Sequence, residues 1–561
     1  MRFFNDFIIN GDRMGKGRES IRLLFQNGLQ YYNQGDHQRC LACCDAILHS
    51  DRRHHEACNL AGLALFAIGN TQKSLEMLNY AYTFSQREDY LVNIAEILRR
   101  IGKVHEALQI MQKIQDHHIP HYYYNLAKIY TDLHDDENAK KCYDILLEQN
   151  PDDKEALFNL GNLFSWTNPA LAQEYYEKSY QLGLLDAGIN LASLLARKEQ
   201  LQEALALYKE LAKKARSADF FFNYANTLEK LTYTDKESFK ICKQYFKKSL
   251  EIQETPYTAM NYSQLLIRFG EIKEGFKMAE ARFGWNIMPS ALRPFYVKPN
   301  TKIDGKRLLV YDEQGFGDTI LFARFLPQMA TKVGELTLVV QSPLLRLFAQ
   351  GFLGIVNHKN IVLLDEIPRS GFDYALALPS LPFMLKVSSP SDFACLPAPQ
   401  LPTKRKHKKL KIGFCYASSK ENPLSSVRDI PLERLIEALA IDGVELVSLQ
   451  YSPSEHEQEI LQKVKVKDIG STIADFADVQ AEILKLDVLV SVDTAIVHLA
   501  ASLGVRTCVL LYKYYDWRYE VIEGRNLLYG ESLYRFVQKD AHNWDSVLIA
   551  LHAQLEQWRA Q

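Results

Sequence analysis

What this sequence lacks narrows it first. Its 66 Lys and Arg are balanced by 68 Asp and Glu, a formal net charge of −2. No global field therefore draws the chain to nucleic acid or to an anionic bilayer. No apolar run approaches the ~18 residues of a membrane-spanning helix. The nine cysteines are scattered without paired metal-ligand spacing. The apolar patch near the start, Phe7-Ile8-Ile9, is broken by Asn5, Asp6 and Asn10 and is too short and polar for a secretory signal. An odd cysteine count without such a signal points to a reducing compartment, so a cytoplasmic protein is expected. Neither G-x-G-x-x-G nor a Walker loop occurs. What remains is 47% apolar and 24% charged, ordinary globular composition, and 561 residues are enough for three or four domains.

What is present begins with a repeat. Gly35-Asp36, Gly69-Asn70 and Gly102-Lys103 recur at spacings of 34 and 33 residues, each ahead of a helical run. Five residues after each glycine stands a small side chain: Cys40, Ser74 and Ala107. The small position continues at Ala139, Ala172 and Ala204. A period near 33 predicts stacked helical hairpins, in which small residues let paired helices approach and aromatics fill between pairs. The spacing predicts about eight units over residues 20–285, after an N-terminal segment 1–19. On this reading Cys40, Cys43 and Cys44 are packing residues, and His54-His55 and His117-His118 are loop histidines rather than ligands.

The period then changes. After a Pro-containing connector (286–300), strand and helix patterns alternate through 301–400. A proline-rich, then basic linker follows, with its basic part at 401–409. A second alternating block occupies 410–540, and an amphipathic helix closes the chain within 541–561. Two segments carry chemistry. In the first block, the strand Arg307–Tyr311 runs into a loop with Glu313, Gln314, Gly315, Gly317, Asp318 and Thr319. Its glycines permit close backbone approach to a ligand, and Asp318 or Thr319 suits a helix cap. A glycine turn that only re-aims the chain fits these residues equally.

In the second block, the apolar run Val488–Val492 stops at Asp493-Thr494, and a helical pattern opens at Ala495 and ends at Gly504. A helix N-terminus at the end of a parallel strand is an anion seat. Ser418, Ser419, Lys420 and Arg428 lie on a polar loop of the same block, and His498 sits one turn into the helix.

Leu160-Gly161-x-x-Phe164, and Leu126-Ala127-x-x-Tyr130 with Ala139, Tyr143 and Pro151, resemble the tetratricopeptide repeat. Glu313-Gln-Gly-Phe-Gly-Asp318-Thr-Ile with Phe322-Ala-Arg-Phe-Leu-Pro327, Ser491-Val-Asp-Thr-Ala-Ile-Val-His-Leu-Ala500, and Asp516-Trp-Arg518 look like signatures of bacterial repeat proteins carrying a heptosyltransferase-like domain (glycosyltransferase family 9). The resemblance covers roughly residues 300–555. It implies a GT-B fold of two Rossmann-like domains, the first on the acceptor side and the second on the nucleotide-sugar side.

It also implies an inverting, metal-independent transfer from a nucleotide-diphosphate sugar, a co-substrate rather than a cofactor. Asp318 matches the carboxylate proposed in that family as general base, with Glu313 as second candidate. Donor contacts fall on Lys420, Arg428, Thr494 and Ala495, with Asp493 on ribose or sugar hydroxyls or holding the turn. His498 stands near the same seat or is a satisfied core histidine, and Trp517 covers a base or packs. The family's richer basic pattern near Lys420 is replaced here by Lys420-Glu-Asn-Pro-Leu-Ser-Ser-Val-Arg428.

The expected acceptor is a protein captured on the concave face of the repeats. The alternatives are a lipopolysaccharide or other surface-glycan acceptor, or a non-catalytic scaffold. A homo-oligomer is compatible with the sequence, and no nucleic-acid partner is expected.

Overall fold

The computed structural model describes residues 15–231, 236–297, 301–352, 361–393, 409–418, 425–522 and 524–560. Lys420 and most of the basic linker lie outside them. The chain divides into two compact units, one through Ala215 and one from Arg216.

The first unit is made of antiparallel helix pairs, from Gly15–Asn33 with His37–Ser50 to Leu185–Arg197 with Leu201–Leu211. The recurrent glycines explain the period. Gly35, Gly69 and Gly102 have φ of 79°, 85° and 81°, left-handed values that end one helix and turn the chain into the next. The following residue caps that next helix: Asp36 accepts from the Arg39 amide, and Asn70 from the Lys73 amide. The small positions Cys40, Ser74, Ala107, Ala139, Ala172 and Ala204 are fully buried where the helices touch. Cys40 and Cys44 lie in the core with Leu60, Ala61 and Ala64.

The second unit opens with two more helix pairs, Ala218–Leu231 with Lys236–Ile252 and Pro256–Arg268 with Ile272–Ala279, then a 3-10 turn, Glu280–Trp285. The compact-unit boundary therefore falls inside the repeat pattern, seventy residues before the expected end of the repeats at 285. The reason is packing: Ile267, Ile272 and Phe276 of the last pair belong to the same apolar core as the α/β region.

Two parallel sheets follow. The first contains β1 (Arg307–Tyr311), β2 (Glu335–Val339), β3 (Ile361–Leu364) and β4 (Tyr374–Ala377), in the order β3-β2-β1-β4. The second draws on β5 (Leu410–Cys415), β6 (Val444–Ser448), β7 (Lys467–Asp468), β8 (Val488–Val492) and β9 (Arg506–Leu511). After a short β10–β11 hairpin (Val521–Ile522, Arg525–Asn526), β12 (Leu533–Val537) joins it, giving the order β12-β9-β8-β5-β6-β7. All these strand pairs are parallel except β10–β11.

Both faces of each sheet are covered, as apolar strands of parallel sheets require. Along β1, Leu308 and Val310 face one core while Leu309 and Tyr311 face another with Met288 and Leu292. Along β8, Leu489 faces the large core, and Val488, Val490 and Val492 pack under the helices Leu432–Leu439 and Asp545–Arg559. The large core is continuous: it holds Ile320 and Leu321 from the first block and Val497 and Leu499 from the second.

Candidate functional site

In open parallel sheets, ligands seat at the carboxyl ends of strands where the order reverses. The reversals lie between β1 and β4 in the first sheet and between β5 and β8 in the second. The glycine loop leaves β1, and Asp493-Thr494 leaves β8, so both segments singled out from sequence stand at reversals.

The first reversal is largely filled. Glu313 is turned inward, its side chain 2% exposed, and accepts from Arg282 Nε at 2.7 Å. Arg282 also reaches Glu280 at 2.6 Å and donates to Ser380 just after β4. Burial works against the charge of Arg282, and the two carboxylates outweigh it and keep the guanidinium protonated. Glu313, the second base candidate, is thus held in a buried ion-pair network by an arginine from the repeats.

The helix after this loop begins at Phe316, with Gly315 as its N-cap residue. Asp318 lies in its first turn, so the expected capping role falls away and its carboxylate is directed elsewhere. Thr319 Oγ1 donates to Gln341 Oε1 at 3.0 Å, and Gln341 donates back to the Gln314 carbonyl at 2.8 Å, which holds the loop.

At the second reversal, Thr494 is the N-cap of the helix Ala495–Ser502, its hydroxyl 2.9 Å from that of Ser491. Gly504 closes the helix with φ 76°. Arg428 Nη1 lies 3.0 Å from Asp493 Oδ2, while Ser418 is held by Asp429 at 2.8 Å. Asp493 Oδ1 accepts the Tyr519 hydroxyl proton.

The two segments meet. A Cβ built on Gly317 would lie 3.0 Å from His498 Cδ2 and 3.4 Å from Ala495 Cα, tighter than ordinary side-chain packing, so a larger residue here would press on the contact between the two helices. Asp318 is ion-paired with Arg518, and Arg518 Nη1 is also 2.8 Å from Asp516 Oδ2. Burial raises the Asp318 pKa, Arg518 opposes the rise, and Asp516 and Asp493 add to it. For Arg518, burial disfavours the charge, but Asp318, Asp516 and Asp493 more than restore it.

His498 is 4% exposed. Its Nδ1 is 2.6 Å from the Tyr529 hydroxyl and its Nε2 3.3 Å from that of Tyr519. Tyr519 gives its proton to Asp493, so it accepts from His498 Nε2–H, and Nδ1 accepts from Tyr529. A neutral ring satisfies this chain. Burial first, then Arg518 and Arg324, lower the His498 pKa to about 3.

Trp517 is turned into the core, edge-on to Phe276 with ring centroids 5.8 Å apart. It packs and leaves no free face for a base. Sequence reading passed over Arg518 as a site residue, although Asp516-Trp-Arg518 stood in the quoted pattern. It also passed over Tyr519, Tyr529 and Arg282, which no local spacing marks.

The arrangement joins a carboxylate of raised pKa, two guanidiniums and the amides of a helix start. Such groups can accept a proton and hold an anion. The fold is a tetratricopeptide-type helical array followed by a parallel α/β region. The tetratricopeptide repeat family matches residues 120–153, the helix pair Tyr122–Asp132 and Asp136–Gln149. Protein FlbA of Caulobacter vibrioides is 26% identical over 295 residues, 45% of this chain and 49% of that protein. The chain thus spans about half the length of the curated relative it matches. Among solved structures, a tetratricopeptide repeat protein from Parabacteroides merdae is 20% identical, covering 47% of this chain and 93% of that one with a TM-score of 0.29. Pseudomonas aeruginosa pilF is 18% identical, covering 42% and 94% with a TM-score of 0.27.

Proposed function

We propose that this protein is a glycosyltransferase of the GT-B kind that moves a sugar from a nucleoside-diphosphate donor to a hydroxyl of a protein held by the repeats. One observation carries the reading: Asp318 and the Asp493–His498 turn come from separate parallel sheets, far apart in sequence, and meet at one cluster. In the proposed step the acceptor oxygen bonds to the anomeric carbon while the bond from that carbon to the phosphate oxygen breaks. The bonding pair leaves with the nucleoside diphosphate, the hydroxyl proton passes to Asp318, and attack opposite the leaving group inverts the centre. In this reading Arg428, Arg518 and the helix amides at Ala495 and Ile496 meet the charge developing on the diphosphate.

The test incubates the protein with labelled UDP-, GDP-, ADP- and dTDP-sugars and a cell lysate. Label in protein, lost in Asp318→Asn, supports the reading. Label confined to extracted lipid or glycan moves the acceptor to a surface glycan. A specific observation favours a second reading, a binding scaffold: Asp318, Asp493, Asp516, Arg428 and Arg518 are already paired with one another. No transfer and no melting-point rise with any of the four donors would establish that reading instead.

A further inference from the structure

Arg518 spans two carboxylates that differ in kind. Asp516 is its own neighbour: it accepts from the Arg518 backbone amide at 3.0 Å, caps the 3-10 turn Trp517–Tyr519, and takes Nη1 at 2.8 Å. That contact moves with the turn. Asp318 belongs to a helix of the other sheet, and its pairing through Nη2 links two elements 200 residues apart in sequence. A guanidinium carries five N–H donors. Here Nη2 serves Asp318 and Nη1 serves Asp516, while Nε, shielded from solvent, has no hydrogen-bond partner among the described residues.

The local charge sharpens the point. Asp318, Asp493 and Asp516 set three negative charges against the positive charges of Arg428, Arg518 and Arg324, whose guanidinium lies 4.7 Å from the Tyr529 ring, and His498 is neutral. A phosphate group entering this cluster therefore meets no net positive charge. Beyond the helix amides at Ala495 and Ile496, the guanidiniums of Arg428 and Arg518 can meet it only by sharing or leaving the carboxylates they hold. Arg428 is bound to Asp493, which is further tied to Tyr519. Arg518 is the donor with a buried N–H that lacks a partner among the described residues and with one partner on an element of the other sheet.

We propose that Arg518 is an exchangeable latch: a phosphate group draws it away from Asp318, and the carboxylate becomes free to accept a proton only once that anion is seated. The proposal rests on reading this cluster as the donor site. It adds a rule of order, in which the leaving-group end of the donor arms the base. Losing its ion-pair partner among the described residues also leaves Asp318 buried and more basic, the direction burial already drives it. The planar fork of Arg518 suits two oxygens of a phosphate.

Inorganic pyrophosphate is the probe, titrated against the full-length protein by calorimetry, with circular dichroism to confirm folding. Asp318→Asn removes the competitor and is expected to tighten pyrophosphate about tenfold, the scale of one charge-assisted hydrogen bond. Arg518→Gln is expected to lose binding. Arg518→Lys keeps the charge without the fork and is expected to bind more weakly than the wild type. Arg307→Gln, whose partner Asp373 lies at the opposite end of β1 from the glycine loop, is expected to match the wild type.

Equal affinity in the wild type and Asp318→Asn overturns the latch, as does binding that survives in Arg518→Gln or absence of binding throughout. The transferase reading is judged separately, because pyrophosphate binding needs no sugar transfer. Transfer with equal affinities removes the latch alone, and the expected affinity order without transfer removes the transferase alone.

Discussion

His498 shows how one residue acquires a role only from its neighbours. In sequence it is a histidine on an apolar helix. In the structure it joins Tyr529 to Tyr519 and, through Tyr519, to Asp493. Its folded pKa is depressed to about 3, below the ordinary value of 6.5. Between these values the unfolded chain binds the extra proton, so stability falls as pH drops from about 6.5 towards 3, with a limiting slope of about 1.4 kcal/mol per pH unit. His498→Gln should flatten this limb in acid-titrated urea unfolding of the C-terminal unit; an unchanged slope would mean the ring is charged when folded. Arg282, 1% exposed, makes a second residue-scale case. Arg282→Met strands Glu280 and Glu313 and should cost about 3–5 kcal/mol of unfolding free energy. Adding Glu313→Gln should recover part of the loss, which a double-mutant cycle would measure.

Elements set the approach of the two blocks. The helices Phe316–Phe322 and Ala495–Ser502 touch through Gly317. Gly317→Ala forces its Cβ against His498 and should destabilise by about 1–3 kcal/mol, as overpacked cores do. Donor-induced melting shifts should shrink with it, whereas a tolerated alanine would show that the helices are free to part. The helix after the glycine loop begins at Phe316 and breaks into a 3-10 turn at Ala323–Phe325 before Leu326–Ala330, with Pro327 near the start of the last piece. Pro327 has no N–H to give the Ala323 carbonyl, and its ring crowds that carbonyl, which accounts for the break. The early start moves Asp318 from a capping position to the interior of the first turn, where it can pair with Arg518.

At the scale of the molecule, the last two helix pairs are repeats by pattern and part of the α/β unit by packing. Phe276 meets Trp517, Arg268 donates to the Tyr515 carbonyl at 3.2 Å, and Arg282 neutralises Glu313. A fragment starting at Arg216 should therefore melt cooperatively. One starting at residue 286 should expose apolar surface and bind a hydrophobic dye. A cooperative melt of the shorter fragment would place the boundary at the end of the repeats after all.

The repeat, the alternating strands and the two glycine- or Asp-Thr-marked turns were legible because each depends on neighbours a few residues away. Helix closure needs Gly35 or Gly69, close helix approach needs a small residue each period, and a doubly covered strand needs an unbroken apolar run. The roles of Glu313, Trp517 and Arg518 were not legible. Their partners, Arg282, Phe276 and Asp318, are set by how the elements fold together, and a charge or ring carries no local mark of the group it will meet. Local chemistry therefore determined the elements and where a site could stand. Tertiary packing decided which carboxylate was neutralised by the repeats and which was left facing an arginine that can be exchanged.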